Sequence, residues 1–354
     1  MDITEFLDLH ASDILGRSII SGSKLRPDIL GKTILVTGAA GSIGSSIVKY
    51  LVGLQQNCTL VLVDQAESDL FMLMQTVKHS KPSATIIPIV QHLTSKFDQF
   101  EAFNIDGIIH TAAWKHVTLL ESQPKAAISN NILLTYHLAS WAHESSLEFM
   151  INISTDKAVE PVNVMGTSKA IAEKVINAFA SVSSTRFLSL RLGNVLGSRG
   201  SVLPVLFQSL QLGIPFELSS ETASRYFCLP NEVCGWLGYL IAVPVPSSVW
   251  VGKAGPSVLI KQLLENVLQI LEQEGQRIVV ADLLPMEKEM EQLIGTNEKF
   301  EAASCEGLYQ GYEIKSRPLN EITRVIDQVA EDLFVLSQLQ CRVMLNKLYL
   351  DFLK

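Results

Sequence analysis

The stretch that decides the fold is Thr37-Gly38-Ala39-Ala40-Gly41-Ser42-Ile43-Gly44, near the start of the 354-residue chain. A compact apolar run, Thr33–Thr37, leads into it and is typical of a buried β-strand. The residues that follow, Ser42–Leu54, carry apolar side chains at helical spacing. Glycines between a strand and a helix predict a turn that receives the phosphates of a dinucleotide, because the first N–H groups of such a helix are unpaired and carry a partial positive charge.

Each glycine of this turn has its own physical task. Gly38 allows the tight turn, Gly41 lets the backbone approach a pyrophosphate, and Gly44 lets the helix pack closely on the sheet. Asp64 ends the next apolar strand, 20 positions after Gly44. Its carboxylate can accept a hydrogen bond from a ribose 2′-hydroxyl and would repel a 2′-phosphate, which predicts NAD rather than NADP. The alternative is that the glycines only make a turn and Asp64 only caps a strand.

The residues up to about 190 alternate short apolar strands with helices of a dozen or more residues. After Leu60–Val63, the pattern predicts strands at Ala84–Val90, Gly107–His110, Phe149–Ile153 and Phe187–Arg191, and a helix from about Pro124 to His143. This order indicates an α/β fold, a Rossmann-type doubly wound parallel sheet with helices on both faces. Ligands of such sheets bind beyond the carboxyl ends of the strands.

The chain divides into three predicted segments. Residues 1–30 form a helical lead-in, residues 31–190 an NAD-binding Rossmann domain, and residues 191–354 a smaller substrate-binding lobe with the C-terminal helices. We place the boundary between the last two segments at residue 190 because the composition changes there. Beyond Leu192 the chain is rich in Gly, Ser and Pro. Helical pieces are predicted near 202–212, 231–241 and 257–274, and an amphipathic helix from Leu319 onward.

Composition narrows the class of protein. The net charge of -8 disfavours a nucleic-acid binder, because no basic excess is present to neutralise phosphates over a long surface. The five cysteines are scattered without a C-x-x-C pair, which predicts no zinc or other metal site and a reduced, cytoplasmic compartment. The longest apolar stretch, Trp236–Val251, contains Pro244 and Pro246 and is shorter than the ~20 residues of a membrane span. We therefore expect a soluble protein without a membrane span.

Two short stretches supply groups for chemistry. Ile153–Lys157 stands at the carboxyl end of the fifth strand and ends in Asp156 and Lys157, and Met165–Lys169 opens the helix that follows. At a strand end beside a nicotinamide site, this aspartate and lysine are candidates for proton transfer, because a lysine that is partly desolvated or close to other cations can act as a base. The alternative is an ordinary surface ion pair in a loop.

The glycine spacing G-x-x-G-x-x-G is similar to that of the short-chain dehydrogenase/reductase superfamily. There the second stretch usually reads Y-x-x-x-K, in which the tyrosine carries a proton and the lysine, one helical turn later, activates it and holds the nicotinamide ribose. Met165 stands here in the tyrosine position and cannot move a proton. A plain alcohol dehydrogenase or a simple 4-epimerase is therefore disfavoured.

Three longer segments resemble the nucleotide-sugar 4,6-dehydratases of polysaccharide biosynthesis, members of the extended branch of that superfamily. They are Asp106–Val117 (DGIIHTAAWKHV), Ile153–Lys169 (ISTDKAVEPVNVMGTSK) and Arg191–Val202 (RLGNVLGSRGSV). The similarity runs from Asp13-Ile14-Leu15-Gly16-Arg17 to about Tyr226. The Met-x-x-x-Lys variant resembles long, membrane-anchored members, and we expect this chain to be such a catalytic part without the anchor. The resemblance implies NAD-dependent dehydration of UDP-N-acetylglucosamine through a 4-keto sugar.

The resemblance also implies a role for each matching residue. Lys157 would abstract the C5 proton, Asp156 would protonate the leaving C6 hydroxyl, Thr155 would hold a phosphate or sugar oxygen, and Lys169 would anchor the nicotinamide ribose. The acceptor of the C4 hydroxyl proton stays open between Asp156 and a water. The predicted catalytic set is Thr155, Asp156, Lys157, Met165 and Lys169. The predicted cofactor set is Gly38, Gly41, Ser42, Ile43, Gly44, Asp64, Ala112 and Lys169.

Substrate contacts are predicted on three loops. Lys115 and His116 match the family's A-A-x-K-H-V, with a merely solvated pair as the alternative. Asn194 offers a two-faced amide to a phosphate or an acetamido group. Arg199 and Arg225 are candidates for the diphosphate, because guanidinium groups match phosphate oxygens.

The sequence departs from the family in two places. Leu284 stands where an arginine is expected near the nucleotide, and Gln91-His92 stands where the family has an acidic residue thought to face adenine. Two other functions therefore stay open: a nucleotide-sugar epimerase of the same superfamily, and a degenerate protein that binds NAD without turnover and acts as a scaffold. A homo-oligomer is expected through exposed helices of the Rossmann domain.

Overall fold

The computed structural model describes residues 3–20, 25–95, 97–246, 248–311 and 317–353. Its strands are β1 (Thr33–Thr37), β2 (Thr59–Asp64), β3 (Thr85–Val90), β4 (Gly107–His110), β5 (Phe149–Thr155), β6 (Arg186–Leu192), β7 (Asn194–Val195), β8 (Phe216–Leu218), β9 (Ser224–Arg225), β10 (Phe227–Cys228), β11 (Ser248–Gly252), β12 (Val258–Leu259), β13 (Ile278–Val280), β14 (Phe300–Ala302) and β15 (Leu308–Gly311). Its α-helices are α1 (Ile3–Leu15), α2 (Ser42–Gly53), α3 (Glu67–His79), α4 (Asp98–Glu101), α5 (Val117–Ser122), α6 (Pro124–Ala127), α7 (Leu134–Glu144), α8 (Val164–Ala180), α9 (Val202–Leu212), α10 (Pro230–Ala242), α11 (Ile260–Ile270), α12 (Leu319–Val335) and α13 (Gln338–Leu353).

The main sheet of the described residues has the strand order β14-β15-β11-β6-β5-β4-β1-β2-β3. In this sheet β3, β2, β1, β4, β5, β6 and β11 all run parallel to one another. At the β11 side, β15 pairs antiparallel with β11, and β14 pairs antiparallel with β15. Ile34, Leu35 and Val36 of β1 are fully buried, as a strand covered on both faces requires. The predicted α/β fold with a doubly wound parallel sheet is confirmed. Its order places the carboxyl ends of β1, β4, β5 and β6 side by side.

The helical lead-in packs away from this sheet. Phe6 and Ile14 of α1 are fully buried in an apolar core shared with α9 and α11, so the lead-in belongs to the smaller lobe. Arg17, just after α1, ties the lead-in to α10 through two hydrogen bonds to Glu232, of 2.7 and 2.9 Å. The division at residue 190 stays a prediction, and the main sheet continues past it into β11.

The C-terminal helices do not lie with the smaller lobe, where we expected them. Ile326 of α12 and Leu345 of α13 are fully buried in the core that α7 and α8 form on one face of the main sheet. Two helices, α12 and α13, replace the amphipathic helix predicted from Leu319. They pack on α8, one helix of the Rossmann domain. Association through exposed helices of that domain stays a prediction. None of the described helices combines the length and apolar content that a bilayer crossing needs.

The helix predicted from Pro124 to His143 is interrupted. A π-helical segment, Ile128–Leu133, separates α6 from α7, and such widened turns often occur at functional sites. Asn131 of this segment accepts a hydrogen bond from the backbone N–H of Trp114 and donates to its carbonyl oxygen, at 2.9 and 3.0 Å. It also donates to the Ser168 hydroxyl at 2.9 Å. The segment thereby joins the loop after β4 to the start of α8.

Candidate active site

The glycine turn between β1 and α2 has no room for a side chain at two positions. Gly38 has a φ of +66°, in the left-handed region, and a Cβ there would lie 2.7 Å from the amide nitrogen of Ala112. A Cβ on Gly44 would overlap the carbonyl oxygen of Gly38. The turn is therefore packed tightly against the loop after β4. Ser42 and Ile43 open α2 beside it.

A pocket of about 240 Å³ opens beside this turn. Asp64 lines it and accepts hydrogen bonds from the backbone N–H groups of Ala40 and Ala66, both at 2.9 Å. This carboxylate therefore caps the turn and also belongs to the pocket wall. Further lining comes from residues after β3 and β4, namely Gln91, His92, Ala112 and Trp114. Four of the residues predicted for a dinucleotide thus line this pocket, namely Gly38, Gly41, Asp64 and Ala112.

Arg199 lies on the glycine turn. Its guanidinium pairs with Asp69 and donates to the carbonyl oxygen of Ala40, and its backbone N–H donates to the Ser42 hydroxyl at 3.0 Å. Lys115 donates from Nζ to the carbonyl oxygen of Arg199 at 2.6 Å. Burial, and secondly the Arg199 charge, lowers the pKa of Lys115. Of these two residues, both predicted for the substrate, Arg199 lines the pocket beside the glycine turn and Lys115 contacts Arg199.

The predicted proton-transfer groups meet at the end of β5. Asp156 is fully buried, and its Oδ1 accepts from the Thr155 hydroxyl at 2.8 Å and from Lys157 Nζ at 3.0 Å. Lys157 Nζ also donates to Asn194 Oδ1 at 3.2 Å. Asp156 Oδ2 has no hydrogen-bond partner among the described residues. Thr155 was predicted to hold a substrate oxygen, and here its hydroxyl donates to the Asp156 carboxylate. In the pair of Asp156 and Lys157, the aspartate is fully buried and the lysine is partly exposed.

Glu291 belongs to the same cluster, although the sequence analysis did not name it. Its Oε1 lies 3.9 Å from Lys157 Nζ, and its side chain is 4% exposed. Burial raises its pKa, and the Asp156 charge raises it further, against the opposing charges of Lys157, Lys288 and Arg225. In the sequence, Glu291 is marked only by its position four residues after Glu287, in the segment that departs from the family pattern at Leu284.

The loop that carries Glu291 is docked on the start of α8. Asn163 donates to the carbonyl oxygen of Met286 at 2.9 Å, and Lys288 Nζ donates to that of Val159 at 2.8 Å. Arg225 holds the other end by donating to the carbonyl oxygen of Glu289 at 2.9 Å. Arg225, predicted for the diphosphate, is thus buried in protein contacts, and the structure does not bring it together with Arg199. Leu284 is exposed at the edge of this loop.

Met165 and Lys169 lie one turn apart on α8. Met165 is buried among apolar side chains, so this position offers no titratable group. Lys169 is also buried, and its Nζ reaches Asn152 Oδ1 only at 3.5 Å. Burial lowers the pKa of Lys169 from 10.5 to about 8, although the Glu173 charge opposes this shift. A buried amine whose hydrogen bond to the protein is this long could donate further hydrogen bonds to the hydroxyl group of a ligand.

Replacing Lys169 with methionine should raise the stability of the ligand-free protein at pH 7. The folded pKa of about 8 lies below the ordinary 10.5, so the charged amine costs the folded state about 3 kcal/mol below pH 8. The advantage of the variant should shrink as pH rises from 8 to 10.5, where the wild-type amine becomes neutral in both states. Urea unfolding at pH 7 and pH 10 measures it. A variant less stable than the wild type at pH 7 would contradict this expectation.

His116 completes the set of predicted residues. Its ring packs on Gly200, where a Cβ would lie 2.7 Å from His116 Cε1. Burial, and secondly the Lys115 charge, lowers its pKa. The structure therefore collects the predicted residues into two neighbouring groups. One group surrounds the glycine turn, and the other surrounds the end of β5.

Comparison with known proteins identifies the family. The sequence pattern of the polysaccharide biosynthesis protein family matches residues 34–313, which include both groups. The chain belongs to this family. As a polysaccharide biosynthesis protein it is 34% identical over 300 residues to the probable polysaccharide biosynthesis protein EpsC of Bacillus subtilis, covering 82% of this chain and 50% of that protein. It is 32% identical over 342 residues to the capsular polysaccharide biosynthesis protein CapD of Staphylococcus aureus, covering 94% and 56%. The chain thus spans about half the length of these curated relatives.

Solved structures share the fold of this polysaccharide biosynthesis protein. Pen from Bacillus thuringiensis superposes with a TM-score of 0.72 at 23% identity, covering 85% of this chain and 99% of that one. A dTDP-glucose 4,6-dehydratase from Streptomyces venezuelae, with NAD bound, gives 0.64 at 18%, covering 74% and 88%. A UDP-N-acetylglucosamine 4-epimerase from Methanobrevibacter ruminantium gives 0.65 at 21%, covering 76% and 91%. The chain therefore shares its fold with a dehydratase and with an epimerase.

Proposed function

We propose that this chain binds NAD and removes water from a UDP-N-acetylhexosamine, with UDP-N-acetylglucosamine as the first candidate, to give a 6-deoxy-4-keto sugar for surface polysaccharide or glycan synthesis. The observation that carries the proposal is the buried contact between Lys157 and Asp156 at the end of β5, beside the glycine turn. The family membership and the dehydratase among the structural neighbours support it. We place the reaction in the cytoplasm and expect a homo-oligomer.

The residues around the pocket fit NAD. The closed turn at Gly38 and Gly44 leaves the backbone free to approach phosphates, and the Asp64 carboxylate could accept a hydrogen bond from a ribose 2′-hydroxyl. The under-partnered amine of Lys169 would hold the nicotinamide ribose. When bound, NAD supplies the oxidation of sugar C4 and the later reduction of C6.

The chain's own groups handle the protons. Lys157 is placed to remove the C5 proton, which a ketone at C4 makes acidic. Asp156 holds Lys157 in place through Oδ1 and keeps Oδ2 free for a substrate hydroxyl. Asn194, bonded to Lys157, is placed to bind a substrate amide or hydroxyl. Together these groups favour elimination from C5 and C6 over simple hydride transfer.

A nucleotide-sugar epimerase is the second candidate. A 5-epimerase could use the same C4 ketone and the same Lys157, and a UDP-N-acetylglucosamine 4-epimerase has the same fold. The buried, apolar Met165 speaks against a simple 4-epimerase, because no proton carrier stands at that position. The intact, buried contact of Asp156 with Lys157 speaks against a scaffold that binds NAD without turnover.

Incubation with UDP-N-acetylglucosamine in deuterium oxide tests the proposal. Mass spectrometry and NMR should show a 6-deoxy-4-keto sugar that has lost water and carries deuterium at C5. Deuterium at C5 without loss of water would favour the epimerase. An unchanged sugar, from protein shown to contain NAD, would reject this substrate and shift the assignment to another nucleotide sugar or to a scaffold.

A further inference from the structure

Dehydration, if the proposed function holds, requires three proton transfers by the time water leaves. A base must take the C4 hydroxyl proton, a second base must take the C5 proton, and an acid must protonate the leaving C6 hydroxyl. Met165 stands at the position of the tyrosine that would otherwise take the proton of the C4 hydroxyl. Asp156 and Lys157 alone would leave Asp156 to serve both C4 and C6.

Glu291 has the geometry of a third group. It reaches Lys157 from the smaller lobe, with Oε1 3.9 Å from Lys157 Nζ. Its Oε2 is buried and has no hydrogen-bond partner among the described residues; Lys288 Nζ is 3.9 Å away. Asp156 likewise keeps one buried oxygen without a partner. An amine is thus flanked by two carboxyl groups, each with one oxygen left for a ligand.

The three groups suit three neighbouring reacting atoms. In the sugar, C5 is bonded to both C4 and C6. In the site, the amine of Lys157, which serves C5, is within 4 Å of both Asp156 and Glu291. The charged groups that face Glu291 are Asp156, Lys157, Lys288 and Arg225. Burial and the Asp156 charge favour the protonated form of Glu291, which is the form that an acid needs.

We infer that Glu291 protonates the leaving C6 hydroxyl, while Asp156 takes the C4 hydroxyl proton and Lys157 takes the C5 proton. As the C5–H bond breaks, its electron pair forms the C5–C6 double bond and the C6–O bond breaks. The Glu291 proton completes the water molecule. C6 then receives the hydride that C4 lost, and Lys157 returns its proton to C5.

The same cluster can restore its starting state. One cycle leaves an extra proton on Asp156 and one proton too few on Glu291. Lys157 Nζ contacts both, at 3.0 and 3.9 Å, so the amine can accept the proton from Asp156 and deliver it to Glu291. No exchange with solvent is then needed between turnovers.

The Glu291→Gln variant tests this assignment. Glutamine keeps the shape of the side chain and cannot donate the proton, so product formation should fall by about 10²–10⁴-fold. Recovered UDP-N-acetylglucosamine should still gain deuterium at C5, because Asp156 and Lys157 remain. Glu289→Gln is the matched control, since Glu289 is exposed on the same loop and its side chain bonds the Thr222 hydroxyl. The control should form product at the wild-type rate, and both variants should keep bound NAD.

Two results would overturn the assignment. One is wild-type product formation by E291Q, and the other is loss of C5 exchange together with product. Infrared spectroscopy without substrate gives an independent readout: the wild type and E289Q should show the C=O stretch of a neutral carboxyl that persists above the ordinary titration range of glutamate, and E291Q should lose this band. Its absence from the wild type would also refute the assignment. A wild type that shows this band but neither exchange nor product would instead reject the proposed substrate.

Discussion

Replacing Lys157 with alanine should stop the exchange of the C5 proton of UDP-N-acetylglucosamine with deuterium, while the protein keeps its NAD. The side chain is the amine at the centre of the strand-end cluster, 3.0 Å from Asp156 and 3.2 Å from Asn194. A positioned base contributes about 10²–10⁴-fold to such a step. NMR of the recovered sugar measures the exchange, and release of NAD from denatured protein measures the cofactor.

The methionine variant at the same position separates chemistry from packing. Lys157→Met keeps most of the side-chain length and removes only the amine, so it should lose exchange to the same extent as Lys157→Ala. Lys261→Met serves as the control, because Lys261 lies in an exposed ion pair with Glu221. Exchange at the wild-type rate in either Lys157 variant would show that another group is the C5 base.

Replacing Arg191 with methionine should produce the largest loss of stability. Its side chain is 2% exposed and pairs with Glu173 at 2.6 Å and with Glu298 at 2.7 Å. Removing the guanidinium leaves the buried carboxylate of Glu173 and the partly buried one of Glu298 without their cation. Breaking a buried pair in this way costs about 3–5 kcal/mol. Urea unfolding at pH 7 measures the change in the free energy of unfolding.

The matched control is Lys32→Met, which removes one partner of the surface pair between Lys32 and Glu148. A pair of this kind contributes about 1 kcal/mol or less. If Arg191→Met lost no more stability than Lys32→Met, the ion pairs of Arg191 with Glu173 and Glu298 would not stabilise the folded protein. Because Glu173 also accepts from the Ser154 hydroxyl at 2.6 Å, we expect the loss to disturb the end of β5 as well.

The sequence predicted best what depends on local spacing. The glycine turn, Asp64 and the strand-end pair Asp156–Lys157 follow from short motifs next to strands, and the structure places them at the carboxyl ends of β1, β2 and β5. Arg199 could not be placed in this way, since its position on the turn depends on how the loop after β7 folds back over Ala40. The packing of α12 and α13 on α8 was missed because periodicity shows that a helix has an apolar face and not which face it meets.

Glu291 shows the limit of motif reasoning most clearly. It comes from an irregular loop of the smaller lobe, far from Lys157 in sequence, and the two meet only after Asn163, Lys288 and Arg225 have fixed that loop. Neighbouring glutamates of the same loop are exposed or only partly buried. Composition alone could not show which of these carboxyl groups loses its contact with water.

The continuation of the main sheet into β11 restricts how this molecule can open. β11 pairs with β6 over five residues, Ser248–Gly252 with Leu188–Leu192, and β15 pairs with β11 on its other side. Rotating the smaller lobe as a rigid body would shear this ladder of backbone hydrogen bonds directly beside the reacting groups. The nucleotide sugar proposed as substrate would then have to enter by displacement of loops, and the segment from Leu284 to Glu291 is the first candidate. The turnover rate would then depend on loop motion, while the strand ends that hold Asp156 and Lys157 stay fixed.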